Sequence, residues 1–248
     1  MFYGTYLSAA GANVQNRRLE VISHNLANVD TPGFKPEASI FQARLSEAAE
    51  QGTAHPVIGG AEAISGGVQM HETVTSFASG PIKKTGIPTD MALVGDGFFE
   101  VADAEGRRML TRAGDFTLDG AGNLITQQGY SVLSADGEPV AIDPALPYRV
   151  LEDGRIAQGG ASVALSVVEP QHISELARAG ENMFLPLSET RPAADRRIRS
   201  GYLEQSAVRP TTAMMEMLEA TRAFETNMRM IQNQDSLTRQ LVARMLQP

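Results

Sequence analysis

Two stretches of helical period stand at the ends of this chain, and glycine turns punctuate everything between them. An apolar stripe with the roughly 3.6-residue period of a helix runs from Leu7 to Val29, and a longer one from Met214 to Met245. In the second, Met214, Met217, Thr221, Phe224, Met228, Ile231, Asp235, Thr238, Val242 and Met245 follow alternating steps of three and four, with Leu218, Leu237 and Leu241 alongside. That is the seam of a coiled coil. Burial on one seam offsets less than the backbone entropy lost in ordering so long a helix, so the helix requires partners. The N-terminal stretch is one: Leu7, Val14 and Val21 stand a heptad apart, and Leu19, Ile22, Leu26 and Val29 form an adjoining stripe. Other copies of the chain are the second.

At 248 residues and 42% hydrophobic content, the chain is long and apolar enough for a real core. Its formal charge of −8, without a basic patch carrying interleaved aromatics, argues against a nucleic-acid partner. With no cysteine, disulfides and thiolate metal sites are excluded. The opening Met1-Phe2-Tyr3-Gly4-Thr5-Tyr6-Leu7 lacks the basic region and apolar run of a secretory signal, and no run is long enough to insert in a membrane. The expectation is a cytoplasmic chain, or one exported without a cleaved signal peptide.

The first helix has a clear stop in Asp30, Thr31, Pro32 and Gly33, reinforced by Pro36. Residues 37–49 have the apolar spacing of one more short helix, with Ile40, Phe41 and Leu45, and a glycine-rich connector follows to residue 67. From Val68 the period changes. Short β-branched and aromatic runs, Val68 to Phe77, Ala92 to Val94, Phe98 to Val101 and Ser162 to Val168, read as strands. Asp119-Gly120, Asp136-Gly137 and Asp153-Gly154 recur at 17-residue spacing, as successive hairpin turns would. Pro210 with Thr211 and Thr212 opens the last helix, one of the threonines serving as N-cap. The fold class is therefore α+β. The terminal helices, residues 1–36 and 205–248, pair into a coiled-coil-like domain, residues 37–67 connect, and residues 68–204 form a central all-β domain of short antiparallel strands.

Catalytic, metal and cofactor constellations are not found. His24, His55, His71 and His172 lack metal spacing. Asp115 to Asn123 groups oxygens and glycines but lacks the ligand spacing and closing glutamate of a calcium loop, so it reads as a hairpin. Gly95-Asp96-Gly97 leads into a strand, which leaves no helix N-terminus to hold a phosphate; it reads as a tight turn before the aromatic pair Phe98-Phe99. There is no nucleophile elbow and no carboxylate pair in a pocket-like setting. The chain is not read as an enzyme, and the methionine-rich seam reads as an adaptable interface.

The stretch Ser23 to Lys35, S-H-N-L-A-N-V-D-T-P-G-F-K, closely resembles the N-terminal motif of the flagellar basal-body rod and hook proteins. Met214 to Gln232 resembles that family's C-terminal segment, and D-M-A-L-V-G-D-G-F-F-E-V and R-A-G-D-F-T-L-D-G-A-G-N-L, from Asp90 and Arg112, resemble its central part. Two positions depart from the common pattern: His24 stands where asparagine is frequent, and Pro32 where a small polar residue is frequent.

The resemblance implies a structural subunit of the periplasm-spanning basal-body rod, exported through the flagellar type III export apparatus and stacked helically around its channel. Its implied partners are copies of itself and other flagellar rod and hook proteins. By position, Asn25, Leu26, Ala27, Asn28, Thr31, Gly33 and Phe34 would form a turn that locks the first helix against neighbouring subunits. Met217, Leu218, Thr221, Arg222, Phe224, Glu225, Met228 and Ile231 would make the matching surface. The seam adds Leu7, Val14, Val21 and Leu241 to the expected interface. The N-terminal residues favour a proximal-rod member over a distal-rod member, and a hook protein would be longer. A secreted β-domain binding module or adhesin is the rival from another class, but it would need exposed aromatics, and the chain has no tryptophan and five tyrosines. A peptidoglycan hydrolase would need a catalytic constellation, and none is visible.

Overall fold

A computed structural model of the chain describes residues 2–43, 68–193 and 197–245. The chain divides into a helical unit, residues 1–27, 37–76 and 209–248, and a strand unit, residues 28–36 and 77–208.

The helical unit contains α1 (Phe2–Ala27), β1 (Glu37–Ala43), β2 (Val68–Thr75) and α2 (Pro210–Met245). α1 ends where the sequence places its stop, with Gly33 at a φ of +64° that a side chain would strain. α2 starts one step earlier than expected. The Arg209 carbonyl accepts the first helical hydrogen bond, from the Ala213 N–H at 3.0 Å, and Pro210 occupies the first turn, where its missing N–H costs nothing. Arg209 is thus the cap, and Thr211 and Thr212 lie inside the helix.

Residues 37–43, expected to open a short helix, instead form β1, which pairs antiparallel with β2 from Glu37↔Thr75 to Ala43↔Val68. The rest of that expected helix, with Leu45, lies outside the described residues. A run such as Glu-Ala-Ser-Ile-Phe-Gln-Ala forms a helix or strand according to its partner, and here the ladder to β2 decides.

α1 and α2 pack antiparallel. A Cβ added to Gly4 would meet Gln234, and one added to Gly11 would meet Asn227. The shielded positions of α2 include Ala213, Met217, Ala220, Phe224, Asn227, Ile231, Gln234 and Thr238, a series of four-and-three steps, with Thr221 and Ala223 half-buried beside it. Of the ten expected seam positions, Met217, Thr221, Phe224, Ile231 and Thr238 are shielded, whereas Met214, Met228 and Asp235 are exposed beside the shielded Ala213, Asn227 and Gln234, and Val242 and Met245 are exposed at the end of the helix. The glycines Gly4 and Gly11 of α1 let the helices approach, so that the Gln234 and Asn227 side chains lie against them, and Ala213 and Ala220 add small side chains to the inner face of α2.

In the strand unit, the largest sheet has nine strands. Its main path runs β14 (Leu176–Gly180), β15 (Met183–Pro186), β6 (Arg108–Thr111), β5 (Phe98–Ala102), β9 (Ser131–Val132), β8 (Leu124–Ile125) and β7 (Thr117–Leu118). β13 (Val167–Pro170) pairs with β5 and with β16 (Thr190–Pro192). The remaining strands form smaller ladders: β10 (Tyr148–Val150), β11 (Arg155–Gln158) and β12 (Ala161–Ala164) together, β4 (Met91–Val94) with β17 (Arg197–Ser200), and β3 (Ile82–Lys84) with β18 (Tyr202–Glu204). The three Asp-Gly pairs all sit in turns: between β7 and β8, between the bridged Leu133 and Pro139, and between β10 and β11. Asp119 spends its carboxylate on the N–H groups of Ala121 and Asn123, which is turn chemistry rather than metal ligation. Phe99, Leu124, Val132, Val101 and Met91 centre the main core. Phe98 and Phe184 form a second cluster with Leu110 and Val168, against which Phe77 packs edge-on at 5.8 Å from Phe98.

Candidate assembly interface

On its flanks and outer side, and at its end beyond α1, α2 leaves large apolar side chains exposed. Leu218, Met228 and Leu241 are exposed, and so are Met214, Met215, Met230, Leu237, Val242 and Met245. On the register set by Gly4 and Gly11, the last turns of α2 run past the first described residue of α1, and Met245 stands 85% exposed there. A soluble protein rarely leaves so many large apolar side chains on one helix unless another surface covers them. Met217, Phe224 and Ile231 are half-buried on the inner face, as are Leu7, Val21 and Leu26, and Val14 is buried. Thr221 is half-buried and returns its hydroxyl to the Met217 carbonyl at 2.8 Å, a bond internal to the helix. Leu218, Met228 and Leu241 are thus the expected residues that α2 leaves exposed, Leu218 opposite the α1-facing stripe and Met228 and Leu241 on its two flanks, while Met217, Phe224 and Ile231 serve the helix pair first.

The motif turn after α1 is engaged within the chain. The Asn25 side chain acts as a substitute strand: its amide donates to the Glu37 carbonyl at 2.7 Å, and its oxygen accepts the Glu37 N–H at 2.9 Å. That pair satisfies both backbone groups at the start of β1, which no apolar side chain could do. Asn28 accepts the Thr31 hydroxyl at 3.2 Å, and the Gly33 N–H donates to the Glu204 carbonyl at 2.8 Å. Phe34 is buried beneath the Arg178 guanidinium, 5.1 Å from its ring centre, while Arg178 also donates to the Lys35 carbonyl and Asn182 to the Pro32 carbonyl.

A charged cluster closes this turn, and sequence reasoning missed it. Lys35 and Glu204 are each 2% exposed, with 2.8 Å between Nζ and Oε1; Arg112 Nε lies 2.6 Å from the other Glu204 oxygen. Both cations bond backbone as well. Arg112 reaches the carbonyls of Leu93, Gly95 and Gly97, and Lys35 the carbonyl of Ala78. Burial works to raise the Glu204 carboxyl, but the Arg112 charge and the hydrogen bonds from Lys35 and Arg112 hold it below the usual carboxylate range. Burial pushes the Lys35 ammonium below its ordinary value against the pull of Glu204. The available signal was position: each charge closes or opens one of the runs Gly33-Phe34-Lys35, Arg112-Ala113-Gly114 and Gly201 to Glu204, beside glycine and strand-forming residues.

Among the described residues, no group of three or more His, Asp or Glu side chains could hold a metal ion, and no helix is long and apolar enough to cross a membrane.

Comparison with known proteins gives three family matches along the chain. Residues 6–35 match the flagella basal body rod protein family, residues 92–161 the D1 domain of the flagellar hook protein FlgE/F/G group, and residues 199–244 the C-terminal part of the flagellar basal body rod FlgEFG proteins. The flagellar basal-body rod protein FlgF of Caulobacter vibrioides is 33% identical over 97% of this chain and 96% of its own. The flagellar basal-body rod protein FlgG of Bacillus subtilis is 30% identical over 98% of both chains. FlgF of Rhizobium meliloti is 30% identical over 90% of this chain and 89% of its own.

Proposed function

The chain belongs to the flagellar basal-body rod protein family and is a structural subunit of the rod, and from that premise we propose that it polymerises helically through its terminal helices into a torque-transmitting tube around the export channel. The observation that carries this reading is the open apolar surface of α2, at Leu218, Met228 and Leu241, on a chain whose strand unit already has a complete core. Contacts of this kind between unlike surfaces, repeated by a rotation that does not close, build a tube rather than a ring.

The protein works as a scaffold and not as an enzyme. Its partners are copies of itself and other rod and hook proteins, and it reaches the periplasm-spanning rod through the flagellar type III export apparatus without a cleaved signal peptide. Within the family, the proximal rod is the favoured position. Support comes from the residues Met1 to Leu7 and from 33% identity to a FlgF protein against 30% to a FlgG protein. A distal-rod position is the second reading.

Deletion of the gene, followed by electron microscopy of purified basal bodies and complementation with a chain truncated at residue 210, tests the function. Basal bodies that lack a rod beyond the membrane ring, unrescued by the truncated chain, are the expected result. Intact and rotating flagella in the deletion strain would overturn it.

A further inference from the structure

The backbone passes between the two units four times: after Ala27, before Glu37, after Ser76 and before Arg209. Inside the strand unit, the segments that lead to these crossings meet at one carboxylate. Glu204 accepts from Lys35 Nζ at 2.8 Å, from the Gly80 N–H at 2.9 Å and from Arg112 Nε at 2.6 Å. Its own carbonyl takes the Gly33 N–H, and just after it the Gln205 N–H donates to the Pro81 carbonyl at 2.9 Å and the Ala207 N–H to the Phe34 carbonyl at 3.2 Å. Lys35 closes the set by donating to Ala78 at 2.9 Å.

Burying two cations with one carboxylate is a poor way to stabilise a domain, since apolar side chains of similar volume do as well or better. What they cannot supply is a set of directed bonds to three separate stretches of backbone. We infer that Lys35, Glu204 and Arg112 are positioning residues for assembly, a clasp that gathers residues 33–35, 78–80 and 204–207 so that the chain leaves the strand unit for its helices from one fixed locus. The clasp rests on the rod reading for its purpose, because a tube that carries torque needs the points where the chain leaves the strand unit to be held fixed within that unit. Arg112 anchors the carboxylate to the β4–β5 turn through Leu93, Gly95 and Gly97, and Lys35 ties in the motif turn.

Lys35→Met in the full chain separates this role from folding. It leaves Glu204 and Arg112 as a one-to-one pair and removes the two bonds that Lys35 makes, to Glu204 and to the Ala78 carbonyl. Hydrogen exchange should quicken on the order of 100-fold at the Gly33, Gly80 and Ala207 amides, the effect of losing one charged hydrogen bond, and stay unchanged at Leu110 and Phe184 in the sheet. The variant should also fail to restore swimming to the deletion strain. Wild-type exchange at the three amides, equal acceleration at Leu110 and Phe184, or full swimming would each overturn the clasp. A wild-type chain that failed to restore swimming would instead count against the rod reading, while the exchange result would still judge the clasp.

Discussion

Glu204 shows how far one residue can reach when it is buried with two cations. Its replacement by Gln leaves Lys35 and Arg112 without their countercharge, and breaking a buried ion pair from one side costs about 3–5 kcal/mol. Urea unfolding of Glu204→Gln should show that loss in the strand unit. The acid limb follows from the direction of the shift. The carboxyl is held below its unfolded value, so its contribution is fully present above the unfolded pKa and lost as pH falls through the folded one. Wild type should therefore weaken below about pH 4, and the Gln variant should show a flatter acid limb over the same range. Gly33 makes the complementary case for backbone. A Cβ there would stand 2.4 Å from the Arg112 carbonyl carbon, at a φ of +64°. Gly33→Ala should cost about 2 kcal/mol or more by the same unfolding assay. The need for glycine at the turn was legible in the sequence, since Pro32-Gly33 ends a helical stripe. The clasp was not, because a lone Lys, Arg or Glu beside a glycine or a short strand-forming run has the same local signature on a surface as in a core. Only the pairing of positions 35, 112 and 204, far apart in the chain, tells the two apart.

The elements divide along the same line. The three Asp-Gly turns and the β-branched runs around Phe98 and Val167 were legible because turn chemistry and strand propensity act locally. β1 was not, since its strand state depends on a ladder to residues 68–75. The helix seam lay in between: its period was plain, but hydrophobicity alone selected methionines, whereas close helix packing selects Ala213 and Ala220. The shift matters because it frees Met228 and Met214 for a surface outside the pair. Two substitutions on α2 should therefore behave differently. Ala220→Leu overpacks a position with no exposed surface, costs about 1–3 kcal/mol, and should lower the helix content measured by far-ultraviolet circular dichroism in the monomer. Met228→Glu should leave the monomer spectrum and the strand unit unchanged and abolish rod assembly in complemented cells. Normal assembly by Met228→Glu would remove Met228 from the interface.

At the scale of the whole molecule, the two units differ in what completes them. The strand unit buries a continuous core from Met91 to Ile198, with a second aromatic cluster beside it. Among the described residues, the helical unit rests on one antiparallel helix pair in which small and polar residues share the contact with a few half-buried apolar ones, and on a two-stranded ladder, an arrangement that is marginal by itself in water. The assembly proposed above would cover the apolar side chains that α2 leaves exposed. Stability in such a chain depends on concentration for the helices and not for the strands, because binding adds free energy only to the part it completes. Hydrogen exchange on the monomer should accordingly find amides of the β5–β6–β15 ladders protected and those of α2 near Ile231 and Leu241 exchanging fast. In the assembled state the α2 amides should slow by several orders of magnitude while the ladder amides change little. Equal protection of α2 in monomer and polymer would mean that the helix pair is complete without neighbours, and the exposed methionines and leucines would then need another explanation.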